Sequence, residues 1–430
     1  MDVRELYKQK HVSIEEAVDM VQSNQKVCIA MAASEPQGLL KGLERRKNEL
    51  ENVNLVSCLM MGDYAILRPD MKGRFLNETW FYGPGDRASH VHGNVTYIPN
   101  NLHEAGKKKL ANDKISVFWG TASPMDKRGF FSLSLGLTYE KMMVEQADLV
   151  VLEINENLPW TLGDTQVHIS EIDYVVENNA PLLEIPVVEP GEEETIIGNY
   201  IAEIIDDGST LQLGIGGIPN AIAQSLRNKK DLGIHTEMFT DGMVDLFEAG
   251  AITGRLKSLW KGKMVGTFAL GSKKLYDFID RNLAVEFQQG NIVNDPCVVG
   301  QNNKMVSINT ALQVDLTGQV CSEAIGNRHY SGTGGQADTH RGAQRSPGGK
   351  GIISLRSTAK RGELSAIVAQ LPAGAKVTLG RNDIDYVVTE YGVAHLKGRS
   401  VRDRVEAMIQ IAHPDFREEL RSEANKIQLW

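Results

Sequence analysis

Two distant stretches of this chain pass through the same succession of residue types, and that repetition constrains the fold more than any other feature. VCIAMAASEPQGLLKGL at 27–43 and LQLGIGGIPNAIAQSL at 211–226 each read as apolar strand, small-residue turn, proline and helix. NLVSCLMMGD at 54–63 matches GIHTEMFTDG at 233–242, ADLVVLEIN at 147–155 matches IDYVVTEYG at 384–392, and FFSLSLG at 130–136 matches HYSGTGG at 329–335. The order is the same in both halves, so an internal duplication is expected. The strand runs are continuously apolar rather than alternating. Between them lie helical stretches, such as the one opened by the capping-box pair Ser13 and Glu16 and the one at Tyr139 to Gln146. That interleaving predicts an α/β fold of two similar domains, each with a mainly parallel sheet flanked by helices.

The boundary between the halves is marked by PLLEIPVVEPGEEE, where Pro181, Pro186 and Pro190 are followed by Gly191. Prolines at this density resist regular structure, so the expected domains are 1–186 and 187–430. Glu192 to Glu194 then read as the dipole-matched first turn of a helix running to Ile205.

Composition narrows the partners. A net charge of -9 argues against nucleic acid as the main partner, because phosphate binding wants a basic face. No apolar run approaches the ~20 residues that span a bilayer, and MDVRELYKQK lacks a signal-type apolar core, so no membrane and a cytoplasmic location are expected. Cys28, Cys58, Cys297 and Cys321 have no CxxC spacing and are expected reduced and buried.

The duplicated halves differ where chemistry would sit. The first copy has Cys58-Leu59 where the second has Glu237-Met238, and AASEP where the second has GGIP. Glycines at such a turn let backbone N–H groups approach a ligand, and the helix start opened by Pro219 favours negative charge. Gly214, Gly216, Gly217 and Ile218 thus form a candidate anion cradle beside the Glu237 carboxylate. A dinucleotide fingerprint is the rival reading of this turn, but Pro219 replaces its third glycine. His90 and His92 would share a face of a strand, yet no third ligand cluster accompanies them, so no metal is expected. The glycine-rich, polar stretch 327–358 reads as a functional loop, with His340 and Arg341 on a solvated face. Its glycines, including Gly334 and Gly335, together with Arg341, Arg345, Lys350, Arg356 and Lys360, would suit a pyrophosphate or a carboxylate.

LQLGIGGIPNAI, GIHTEMFTDG, IVNDP, SGTGGQAD, GGKGIISL and DYVVTEYGVAHLKG, in that order, resemble the acetyl-CoA hydrolase/transferase family of class I CoA-transferases over essentially the whole chain. Within that family the resemblance is to 4-hydroxybutyrate and butyryl-CoA:acetate CoA-transferases. It implies a ping-pong exchange of CoA between a short-chain acyl-CoA and a free acid such as acetate, through a glutamyl-CoA thioester at Glu237. It implies oxyanion donors at Asn294, Gly335 and the backbone of Gly216, Gly217 and Ile218, and CoA contacts from Lys360 and, less specifically, Lys350. CoA enters as a thioester substrate, with no tightly bound cofactor; the partners are small acyl-CoAs and acids, and relatives suggest a homo-oligomer.

Two departures stand out. The family pattern after GGQ continues with Asp and an aromatic, whereas Asp338 is followed by Thr339. GPGDRASHVHGN and FWGTASPMD differ from the 4-hydroxybutyrate enzymes, in the half expected to shape the acyl pocket. The alternatives are an acyl-CoA hydrolase using the same residues, and a non-catalytic CoA- or nucleotide-binding module in which Glu237 is dispensable.

Overall fold

In the computed structural model, which describes residues 2–429, the chain forms two compact units. One holds residues 1–185 and 265–293, the other residues 186–264 and 294–430. The division in the proline-rich segment therefore falls at 185/186. The chain does not cross only once, however: Val265–Val293, in the second half of the sequence, packs within the first unit.

The first unit is built on a seven-stranded sheet of β1 (Lys26–Ile29), β2 (Val53–Ser57), β3 (Phe75–Thr79), β4 (Val95–Tyr97), β5 (Val117–Ala122), β6 (Leu149–Ile154) and β7 (Tyr174–Glu177). Its order is β4-β3-β2-β1-β5-β6-β7, and every pairing is parallel. The continuous apolar runs become strands buried on both faces; β5 is buried along all its residues. Val27, Leu55, Val117 and Trp119 pack there with Leu39, Leu40 and Leu43 of helix α1 (Gln37–Leu43).

The second unit repeats the plan with β8 (Thr210–Gln212), β9 (Gly233–Ile234), β10 (Met305–Thr310), β11 (Lys350–Ser354), β12 (Tyr386–Thr389) and β13 (Gly392–His395), in the order β9-β8-β10-β11-β12-β13. All pairings are parallel except the closing hairpin of β12 with β13. Its helices include α2 (Glu192–Ile204), α3 (Gly217–Ser225) and α4 (Gln336–Arg345). The acidic run does form the first turn of α2, where the Glu194 carboxylate accepts the Gly191 N–H. Helix α2 packs against α3, and α4 lies on β10 and β11.

The sheet registers bear on the duplication. Val27 pairs with Leu55 in the first unit and Leu211 with Ile234 in the second, the same two pairs that the sequence match aligns. The match of 147–155 with 384–392 is displaced by one strand: β6 lies two strands from β1, whereas β12 lies three from β8. Two similar apolar runs were available in the second half, and hydrophobicity alone does not choose between neighbours in a parallel sheet.

Other expectations change. His90–His92 is a 3-10 turn rather than a strand, so the two imidazoles do not share a strand face, and His90 Nδ1 pairs with the Tyr82 hydroxyl at 2.9 Å. The glycine-rich stretch contains the ten-residue helix α4, and His340 is completely buried in it rather than solvated. Cys28, Cys58 and Cys321 are buried, but Cys297 is exposed. No helix among the described residues is long and apolar enough to cross a membrane.

Candidate active site

The site lies in the second unit, at the edge of the sheet where the parallel strands end. Strand β9 is only two residues long, and three residues beyond Ile234 the chain presents Glu237. The Thr236 hydroxyl, 3.4 Å from the Leu213 carbonyl, ties this segment to the end of β8. Carrying the Leu211–Ile234 register forward brings the glycine turn that follows β8 alongside Glu237. After Glu237 the chain forms a two-residue strand, Met238–Phe239, and enters a helix at Asp241.

Three sequence candidates converge. Asn294, completely buried, donates from Nδ2 to Glu237 Oε2 at 2.7 Å, and the Gly335 backbone N–H also donates to the carboxylate. Gly335 caps the start of α4, and any side chain there is excluded: a Cβ would sit 1.9 Å from Glu237 Oε2 and 2.1 Å from Asn294 Nδ2. Glycine is required here by close approach, since its φ of -95° is open to any residue.

The electrostatics are set mainly by burial. Glu237 is half-buried as a residue, yet desolvation of its carboxyl pushes the pKa up from 4.5 to about 7. Asn294 and Gly335 pull it down by hydrogen bonding to the charged form, and the charge on buried Asp338 pushes it further up. Near neutrality, then, the carboxylate is substantially populated and poorly solvated, which is the state of an activated oxygen nucleophile.

The remaining candidates divide. Gly214 and Gly216 lie on the turn between β8 and α3, and Gly217 and Ile218 open α3, at the same sheet edge as Glu237. Gly216 caps α3 with φ 114°, a conformation open to glycine, and a Cβ there would meet nothing within 4 Å, so the turn's backbone is accessible. Helix α3 starts at Gly217, two residues before the expected Pro219. Gly334, at φ 53°, aligns the peptide before Gly335. Lys360 is exposed in the turn of the hairpin Thr358–Ser365, beyond the end of β11. Lys350 does not join the site. It begins β11 at the opposite sheet edge, where Nζ bonds the Ile204 carbonyl at 2.6 Å and Asp206 at 3.1 Å. A lysine at the entry to a parallel strand cannot reach groups at the exits, and sequence proximity to the glycines concealed this. Asp338 was not assigned from sequence; its place three residues after Gly335, on the first turn of α4, was the available signal. Among the described residues no group of His, Cys, Asp and Glu is disposed to hold a metal.

With this geometry in hand, the comparisons are specific. Residues 1–189 match the acetyl-CoA hydrolase/transferase N-terminal domain and residues 271–424 match the C-terminal domain of the same family. The chain is 44% identical to the 4-hydroxybutyrate coenzyme A transferase of Clostridium kluyveri, over 99% of this chain and 100% of the relative. It is 43% identical to the succinyl-CoA:cyclohexane-1-carboxylate CoA transferase of Geobacter metallireducens, over 98% of this chain and 96% of that one. The crystal structure of RipA from Yersinia pestis superposes with a TM-score of 0.94 at 37% identity, covering 100% of both chains. The chain therefore belongs to the acetyl-CoA hydrolase/transferase family.

Proposed function

We propose that this chain is a CoA-transferase that moves CoA between a short-chain acyl-CoA, such as 4-hydroxybutyryl-, butyryl- or acetyl-CoA, and a free carboxylate such as acetate, with Glu237 as nucleophile. The observation that carries the reading is the desolvated Glu237 carboxylate with two donors on it, Asn294 Nδ2 and the Gly335 N–H. A module that only binds CoA has no need of a poorly solvated carboxylate held in this way.

The chemistry runs in two halves. A Glu237 oxygen attacks the acyl carbonyl; the tetrahedral intermediate expels the CoA thiolate and leaves an acyl-glutamyl anhydride. The thiolate then attacks the glutamyl carbonyl, the carbon–oxygen bond of the anhydride breaks, and the acid departs as carboxylate, leaving glutamyl-CoA. A second carboxylate reverses both steps, so no net proton is taken up or released. Negative charge grows on the glutamyl oxygen each time that carbonyl is attacked, and Asn294 and Gly335 are the donors for it, together worth several kcal/mol of barrier at about 2.7–4 kcal/mol each. The backbone of Gly216, Gly217 and Ile218 is the corresponding candidate for the acyl oxyanion, and Lys360 for a CoA contact. CoA enters as substrate, and no tightly bound cofactor takes part.

Transfer is favoured over hydrolysis because both relatives described above carry transferase names at 43–44% identity. Those two names differ in their acid, so overall identity does not choose it, and a panel of acceptors must. The test is incubation with butyryl-CoA or acetyl-CoA, with and without acetate, followed by mass analysis of the peptide carrying residue 237. A CoA adduct or backbone cleavage at Glu237 is expected, absent in Glu237→Ala. The proposal fails if no adduct forms and Glu237→Ala keeps activity; rapid thioester loss without acetate makes the enzyme a hydrolase.

A further inference from the structure

The Gly335 N–H acts on Glu237 only if the first turn of α4 is held in place, and behind that turn lies a polar cluster centred on Thr339, the residue that departs from the family pattern. Thr339, one turn along α4, is buried, and its hydroxyl lies 3.0 Å from the Gly335 carbonyl, where the Thr339 N–H also donates at 2.9 Å. The same hydroxyl lies 3.1 Å from Gln212 Oε1 on β8 and 2.8 Å from the Ser307 hydroxyl on β10. Ser307 Oγ is also 2.9 Å from Gln212 Oε1, and Asn309 Nδ2 approaches both, at 3.0 Å and 3.2 Å. Gln212 and Ser307 are buried as well.

Polar side chains between a parallel sheet and its covering helix, three of them buried here, are costly unless mutually satisfied, and a satisfied cluster fixes one arrangement of the elements it joins. Here it joins two strands to one helix turn, next to the residue whose N–H meets Glu237. An apolar contact would bury as much area and leave the helix free to slide by fractions of an ångström.

Building on the reading of Glu237 as nucleophile, we propose that Thr339, anchored by Gln212 and Ser307, is a positioning residue for the transfer reaction, setting where the Gly335 N–H lies relative to the Glu237 carboxylate. Thr339 touches no reacting atom. It acts through the peptide it holds.

The test compares Thr339→Val, which keeps the branched shape and loses the hydroxyl, with Thr339→Ser, which restores it, in butyryl-CoA:acetate exchange. Thr339→Val is expected to lose about 10- to 100-fold in kcat, the scale of a small misplacement of a reacting group, while KM for butyryl-CoA stays put and Thr339→Ser recovers most of the rate. Wild-type kcat in Thr339→Val, or equal impairment of the serine variant, overturns the assignment. If Thr339→Val does not fold, Ser307→Ala carries the same readout: a fall in kcat at constant KM supports the cluster's role and an unchanged kcat refutes it. Adduct formation on the residue-237 peptide keeps the two proposals apart. If the wild type forms no adduct, the nucleophile is wrong; if wild type and Thr339→Val form it equally fast, only the positioning role falls.

Discussion

Replacing Glu237 by glutamine should stabilise the second unit at the pH where it abolishes the chemistry. The amide keeps an oxygen for the Asn294 and Gly335 donors but removes the charge that burial opposes. Raising the carboxyl from 4.5 to about 7 costs the ionised fold about 3 kcal/mol at 1.36 kcal/mol per pH unit. Solvent reaching the half-buried side chain screens part of this, leaving about 1–3 kcal/mol. The sign follows from linkage: between the unfolded and folded values the native state binds more protons, so its stability falls as pH rises from about 4.5 to about 7 and stays low above. Below that window the folded and unfolded carboxyl are both protonated and the substitution should be nearly neutral. Urea unfolding, followed by hydrogen exchange on peptides of α4 and β10 so that the second unit is read by itself, would compare the two proteins at about pH 4 and about pH 8. A gain confined to the higher pH is expected. No gain there, or the same gain at both, would refute the account of Glu237 as a carboxylate held against desolvation.

Four further outcomes rest on the same geometry. Glu237→Asp withdraws the carboxylate by one methylene from both donors and should lose roughly 100-fold or more in kcat, read in the exchange assay. Asn294→Ala removes a donor that favours the charged form, so the acid limb of the kcat/KM profile should move to higher pH as the rate falls about 100- to 1,000-fold. Gly335→Ala, whose Cβ would meet Glu237 Oε2 at 1.9 Å, should lose activity, whereas Lys350→Ala, at the far sheet edge, should keep wild-type turnover in the same assay.

Much of this was legible in the residues because a parallel sheet writes itself plainly. Its strands are buried on both faces and so are continuously apolar, and its ligand-facing groups follow the strand ends. That is why Glu237 and the glycine turn before it stood out just after apolar runs, whereas Asn294 and the donor role of Gly335 came only from the family resemblance. One misreading came from taking polar residues as solvated. His340 is completely buried, and α4 looked like a loop because its sequence is rich in polar residues and follows a run of glycines. Lys350 was misplaced because sequence proximity to a glycine motif does not say at which end of the next strand a residue lies. The polar cluster behind α4 unites positions from Gln212 to Thr339, and only the fold brings them together.

The excursion of Val265–Val293 into the first unit has a consequence for how the molecule is made. The Leu137 and Ala269 amides bond to Thr267 and Leu135, and the Gly163 backbone bridges Phe287, so this segment completes the first unit from within the second half of the chain. Synthesis therefore cannot finish the first unit until residue 293 has emerged, and the next residue is Asn294, the partner of Glu237. A cut in the proline-rich segment, where the sequence invites one, would yield an amino-terminal fragment lacking part of its own interior. The two halves share a plan of strands and helices, yet they are not separable pieces of chain.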